Sequence, residues 1–326
     1  MNENHFGIAS LQLPAPVRAP ERRRVLTSMP FVPPRRAHEC VIVAEAPGDD
    51  RVCALLRSFA AAPGQVAPPR TLIVAAHPDD ETLGPGGMLP RFPHGRLDVL
   101  HVTDGAPRHR RGWGRQEFRT WDEYAEARRS EVLRALSLAG VRAERAHRLE
   151  LMDNETSFDL AGLSYRLMER FAELRPEVVV THPYEGGHTD HDAVAFATRA
   201  AARMLARDGA QAPALAEFTS YHNLGGERVF NRFLPFDRAP ETEVELSREE
   251  RALKRRMFDC FATQQGVLRD MPVRGERFRP APDYDFLTAP HAGRLRYERY
   301  PLGLKGKQWR QLAADALKDL RLPRFY

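Results

Sequence analysis

Thr71-Leu-Ile-Val-Ala-Ala-His-Pro-Asp-Asp-Glu81 is the stretch on which the fold turns. Its apolar run, Leu72 to Ala76, includes the β-branched Ile73 and Val74. Such a run reads as a strand buried on both faces, as in a parallel sheet. Pro78 cannot donate to a ladder and biases His77 toward extended geometry, so the strand is expected to end there. An imidazole and three carboxylates (His77, Asp79, Asp80, Glu81) then sit at the carboxyl end of a central strand, where open α/β sheets bind ligands. Three acids in one turn are costly unless a cation shares the site or one acid stays protonated. The arrangement asks for a metal.

Working outward, strands and helices alternate, the pattern of a parallel sheet with crossover helices. Strands are expected at 71–76, 97–103, 146–151, 177–182 and 217–222, with helices at 121–139, 160–174 and 191–206. Gly140 suits the C′ position of the first of these helices. After residue 223 the pattern changes. Gly225-Gly226 reads as a loop and 242–246 as an edge strand. Ser247-Arg-Glu-Glu250 is a capping box opening a helix, 267–303 reads as a long irregular loop, and 305–320 as a helix. Before residue 71, residues 1–38 form a Pro/Arg-rich arm, and 39–70 an edge βα unit (strand 40–46, helix 49–61) with a proline-containing linker. The expected architecture is therefore α/β, a Rossmann-like, mostly parallel sheet with helices on both faces. It comprises a core over 71–223, a C-terminal extension over 224–326 packed on that core, and the N-terminal arm.

Composition narrows the function. No apolar run approaches the roughly 18–20 residues that span a bilayer, and Met1–Pro16 lacks both a basic n-region and an apolar h-region. The scattered Cys40, Cys53 and Cys260 fit a reducing compartment, so a cytoplasmic location is expected. The net charge of +5 raises the question of nucleic acid. The arginines are spread among acids, though, and the densest runs, Arg22–Arg24 and Arg108–Arg111, accompany no nucleic-acid-binding motif. No nucleic-acid partner is expected, and the arm could wrap a second copy of the chain.

A second segment completes the chemistry: Thr181-His-Pro-Tyr-Glu-Gly-Gly-His-Thr-Asp-His191. It too follows an apolar strand and stops on a proline, so both segments can emerge on one sheet edge. Two imidazoles and a carboxylate with open positions make a catalytic zinc site, at which water is ionised near neutral pH. Of the adjacent Asp79 and Asp80, one can face the metal and the other the water. His188 can meet a developing oxyanion or protonate a leaving amine, and Asp190 could orient His188 by accepting its other N–H. Asp104, in a turn after a strand on the same edge, is a candidate for substrate contact. Glu81 is expected to hydrogen-bond within its loop, His182 to be structural, and His101 and His222 to be satisfied core or rim histidines.

Ala76-His-Pro-Asp-Asp-Glu81 together with Gly187-His-Thr-Asp-His191 resembles the PIG-L/LmbE-like metal-dependent de-N-acetylases, over about residues 71–223. The resemblance implies a Rossmann-like sheet, with His77, Asp80 and His191 as zinc ligands and Asp79 as general base. It implies that His188 assists at the oxyanion or leaving group and that Asp190 tunes His188. Arg128, in an Arg-x-x-Glu pattern with Glu131, and Asp153, after the third strand, match positions that contact substrate in some members. Thr189 stands where many members have proline, which leaves the ligands untouched.

The expected function is a zinc-dependent hydrolase removing an acetyl group from an N-acetylated amino sugar or glycoconjugate through metal-activated water. Ferrous iron is also admitted by the donor types. The rival readings are an amidase on another small N-acyl substrate, a non-haem iron oxygenase, and a metal-bearing sugar-binding pseudoenzyme. His77-x-x-Asp80 lacks the His-x-Asp spacing of the oxygenase triad, and binding alone needs neither Asp79 nor His188.

Overall fold

Thr71–Ala75 forms the central strand, with every residue buried. The computed structural model describes residues 49–62, 64–109, 118–269, 271–299 and 303–324. The expected arm over 1–38, the strand over 40–46 with Cys40, and Arg110 and Arg111 lie outside the described residues.

The elements run α1 (Asp50–Ala60), β1 (Thr71–Ala75), α2 (Asp80–Leu83), β2 (Leu97–Thr103), α3 (Trp121–Leu138), β3 (Ala146–Leu151), α4 (Leu160–Leu174), β4 (Val178–Thr181) and α5 (Thr189–Arg207). They continue with β5 (Ala214–Phe218), β6 (Tyr221–Leu224), β7 (Glu227–Phe230), β8 (Thr242–Glu245), α6 (Arg248–Asp259), α7 (Gln265–Leu268), β9 (Gly275–Pro280) and α8 (Gly306–Asp319). Among the described residues the main sheet has seven strands in the order β3-β2-β1-β4-β5-β9-β8. Strands β1 to β5 pair in parallel, and β9 and β8 add antiparallel. The chain is an α/β protein with a mostly parallel, Rossmann-like sheet. The winding reverses between β1 and β4, and the crevice at such a point is where these sheets bind ligands.

Period-two alternation divides β1 between the two faces. Leu72 and Val74 pack with Leu163, Leu167, Val194 and Trp309 from α4, α5 and α8. Ile73 packs on the other face, in the cluster that holds Leu55, Val132 and Met257 from α1, α3 and α6. Helix boundaries follow local chemistry. The Thr120 hydroxyl accepts the Glu123 N–H at 3.1 Å to open α3. At its other end Gly140 takes φ +80°, with Gly140 N–H bonded to Ser137 O and Val141 N–H to Leu136 O, a Schellman closure. The Ser247–Glu250 capping box opens α6 as expected. Among the described residues no helix is long and apolar enough to cross a membrane.

Two expectations are corrected. The single strand at 217–222 is two: β5 stops at Phe218, and β6 turns away to form a hairpin with β7. Gly225 and Gly226, at φ +59° and +92°, supply the left-handed turn such a hairpin requires. The region 267–303, read as an irregular loop, contains β9, which inserts between β5 and β8. Its sequence, Gly-Glu-Arg-Phe-Arg-Pro, hides the strand because its charged residues are buried and paired. Arg279 donates to Glu217 Oε2 at 2.9 Å, and Glu276 accepts from Lys254 Nζ at 2.5 Å.

The Lys254–Glu276 pair ties the extension to the first site segment. Both side chains are 1% exposed. Lys254 Nζ also donates to the carbonyls of Leu83 and Gly84 at 2.9 Å, and Glu276 Oε1 accepts the Gly87 N–H. The ammonium thus caps the end of α2. Gly84 lies so close to the Phe218 ring that a Cβ there would come within 2.2 Å of it. Removing one member of a buried pair strands the other charge, at a cost of about 3–5 kcal/mol. Lys254→Ala should lower folding stability by about that much in chemical denaturation. Lys254→Met combined with Glu276→Leu should recover most of it, and a single variant as stable as the double would show the pair to be without this role.

Candidate metal centre

Both site segments emerge where β1 and β4 end side by side. His77 directs Nδ1 and its backbone N–H to Asp80 Oδ2, at 3.1 and 2.8 Å. Asp80 Oδ1 lies 3.3 Å from His191 Nε2. Metal-competent groupings converge here: His77, His188 and His191; Asp80, His182 and His191; and His77, Asp153 and Asp190. The expected ligands His77, Asp80 and His191 therefore form one continuous run of contacts.

The electrostatics show why a cation belongs among them. Burial by itself would lower the His77 pKa, but Asp153, Asp190 and Asp80 together hold it well above the usual imidazole value. Burial likewise opposes ionisation of Asp80, and the rings of His191 and His182 nonetheless keep its carboxyl well below the usual range. The His191 pKa is pushed down to about 4, first by burial, against the opposing pull of Asp80. His191 Nε2 is buried without a hydrogen-bond partner. A neutral imidazole nitrogen facing a carboxylate, beside a second imidazole surrounded by acids, is the donor set of a divalent metal. The residues present fit the ion.

Around this core stand the residues expected to act on substrate. Asp79 Oδ2 lies 3.1 Å from an Arg128 amino group. Burial raises the Asp79 pKa to about 6, with Arg128 pulling against it and Asp80 adding to it. His188 is the N-cap of α5, and its Nδ1 accepts the Asp190 N–H at 3.1 Å. That bond leaves the proton of a neutral ring on Nε2. Burial, then the neighbouring His77, pushes the His188 pKa down to about 4. Gly187 lets the loop reach β6, since a Cβ there would lie 2.0 Å from the Tyr221 carbonyl oxygen.

Two expected roles, those of Asp190 and Asp104, change. The Asp190 carboxylate does not hold His188. It accepts from Thr156 Oγ1 and Asn154 N–H, both at 2.7 Å, and lies 3.3 Å from His77 Nε2, so it acts on His188 through its charge, which raises the His188 pKa against burial, and not through a side-chain hydrogen bond. Arg128, a candidate for substrate contact, lines the pocket over the ligands. It is buried, bonding the carbonyls of Gly105 and Pro78 as well as Asp79, while Glu131 accepts from Thr263. Asp104 pairs with Arg108 at 2.8 Å and lines a second cavity, of about 400 Å³, whose lining includes none of His77, Asp80 and His191. Asp153 does stand at the centre, with Oδ1 3.3 Å from His77 Nε2. Glu81 accepts from Thr82 Oγ1 within its own loop, as expected, and its other oxygen lies 2.9 Å from Nε2 of the buried His101 on β2.

The pocket over the ligands has a volume of about 120 Å³ and is lined by His77, Asp79, Asp80, Arg128, Asp153 and His188, with Leu83, Tyr221, Gln264 and Val267. Sequence reasoning missed Tyr221 and Gln264, which no local pattern marks. His182 carried a signal in hindsight, because its His-Pro repeats the His77-Pro78 ending of β1.

Residues 72–202 match the family model described as PIG-L: GlcNAc-PI de-N-acetylase. A 1D-myo-inositol 2-acetamido-2-deoxy-alpha-D-glucopyranoside deacetylase of Rhodococcus jostii is 32% identical over 167 residues, covering 45% of this chain and 57% of that protein. A probable N-acetyl-alpha-D-glucosaminyl L-malate deacetylase 2 of Bacillus anthracis is 28% identical over 124 residues, covering 37% and 54%. The chain thus spans a little over half the length of these curated relatives. Among solved structures, the A40926 pseudoaglycone deacetylase Dbv21 superposes with a TM-score of 0.49 at 22% identity, over 65% of this chain and 96% of that one. The stretch that matches the PIG-L family model, residues 72–202, carries His77, Asp79, Asp80, Asp153, His188, Asp190 and His191 alike.

Proposed function

We propose that the chain is a zinc-dependent N-deacetylase acting on an N-acetylated amino sugar or glycoconjugate. The observation that carries this reading is the run of contacts that joins His77 to Asp80 and Asp80 to His191, beside an arginine-held Asp79 and an N-cap His188. The family match and the names of the two curated relatives, both deacetylases of acetamido-sugar compounds, support the substrate class.

His77, Asp80 and His191 would hold the ion. A bound zinc supplies Lewis-acid polarisation of a carbonyl and a water ionised near neutral pH. The remaining work falls to the chain's own groups. Asp79, with a proton affinity near neutrality, accepts the proton of the attacking water and returns it to the departing nitrogen. Arg128 keeps that carboxylate in place. His188 has Nε2–H free to donate to the acyl oxygen as charge gathers there, because Nδ1 is already engaged. Asp153, at the pocket wall, offers an acceptor for a sugar hydroxyl. The water oxygen joins the acyl carbon, the C–N bond breaks, and acetate and a free amine leave.

The reading is tested by metal analysis of the purified chain together with acetate release from a panel of N-acetylated sugars and glycoconjugates. Near-stoichiometric zinc with acetate production is the expected result, and a metal-free chain would overturn it. Asp79→Asn should cut turnover by about 10²–10⁴-fold, the usual span of general acid–base assistance, at unchanged metal content. His191→Ala should lose metal and activity together. Retained turnover in Asp79→Asn would rule out its role as the base.

A further inference from the structure

His182 belongs to the buried cluster, yet the proposed chemistry makes no use of it. It follows β4 as His77 follows β1, and it is 0% exposed. Its ring lies nearly flat on that of His191, with centroids 4.0 Å apart and planes 14° from parallel. Phe218 meets the same ring at 4.8 Å and 61°. Its Nε2 accepts the Ala76 N–H at 3.0 Å, where β1 ends, and lies 3.4 Å from Asp80 Oδ2.

One imidazole thus touches both ligand-bearing segments: the turn carrying Asp80 and the ring of His191. A residue kept only to fill core space would be an apolar ring, because His182 Nδ1 is buried with no hydrogen-bond partner. An unsatisfied buried polar group costs about 1–3 kcal/mol. The imidazole combines a flat face for His191 with an in-plane acceptor for Ala76, which no apolar ring provides.

We propose that His182 is a positioning residue of the metal centre, fixing the ring plane of His191 and the turn that presents Asp80. The inference rests on the metal-centre reading above and assigns His182 no contact with substrate. Outer partners of ligands typically change metal affinity by about 10–100-fold when replaced.

The test uses the full chain and two variants, His182→Phe, which keeps a flat ring without the acceptor, and His182→Gln, which keeps an acceptor without the ring. Zn²⁺ affinity is measured by competition with a chromophoric chelator. Co²⁺ absorption spectra and circular-dichroism melts of the metal-free forms accompany it. Both variants are expected to fold, to bind Zn²⁺ about 10–100-fold more weakly, and to give altered Co²⁺ spectra. A folded variant with wild-type affinity and spectrum overturns the inference, and so does failure of both variants to fold, which would make His182 purely structural. A wild-type chain that binds neither ion overturns the proposed function as well, which separates the two failures.

Discussion

Carboxylates and imidazoles crowded into the buried end of a hydrophobic sheet can coexist only if positive charge is distributed among them. Asp79, Asp80, Asp153 and Asp190 meet His77, His182, His188 and His191 where β1 and β4 finish. In that low-dielectric setting each acid needs a cationic or hydrogen-bonding partner. Arg128 serves Asp79, the Thr156 hydroxyl and the Asn154 amide serve Asp190, and His77 draws three acids toward itself. The cluster therefore prescribes its surroundings. Loops must supply donors, glycines must admit close backbone approach, and a lysine from a distant helix must finish the turn that carries Asp80.

The sheet makes that crowding geometrically available. Parallel strands with opposite winding on either side of β1 and β4 leave a crevice between two consecutive loops. Each loop begins with His-Pro, so each strand ends abruptly and its first polar side chain stands at the sheet's edge. The start of α5 then places His188 at a helix N-cap and His191 in the first turn. One short stretch so delivers both a hydrogen-bond donor and a metal donor.

Much of this was legible in the amino-acid sequence because it is written in local patterns. Apolar runs marked β1 and β4, the apolar spacing of α4 marked a helix, and Ser247 and Glu250 marked the start of α6. The candidate metal donors were legible because both segments are short, and their assignment as ligands came from the family those segments resemble. What escaped has a common physical cause. Strand β9 carries Glu276, Arg277 and Arg279, and its burial depends on Lys254 and Glu217 far away in the chain. The role of the Asp190 carboxylate depended on Thr156 and Asn154, which lie more than thirty residues earlier. Arg128 was marked only as a candidate for substrate contact, since helical spacing does not reveal that Pro78, Asp79 and Gly105 lie above it. Long-range pairing of polar groups leaves no periodic trace.

Tyr221, Gln264 and Val267 line the pocket beside the metal donors, yet all three fall outside residues 72–202. The wall of the cavity is thereby drawn from two tracts of one polypeptide, Arg128 and Asp153 from the earlier and Tyr221, Gln264 and Val267 from the later. Changes in the later tract can reshape what the cavity admits while the donor geometry set by β1 and β4 stays intact. What the cavity admits can thus diverge by changes at those three positions, whereas exchanging the whole later tract would also remove the Lys254 that holds the turn carrying Asp80.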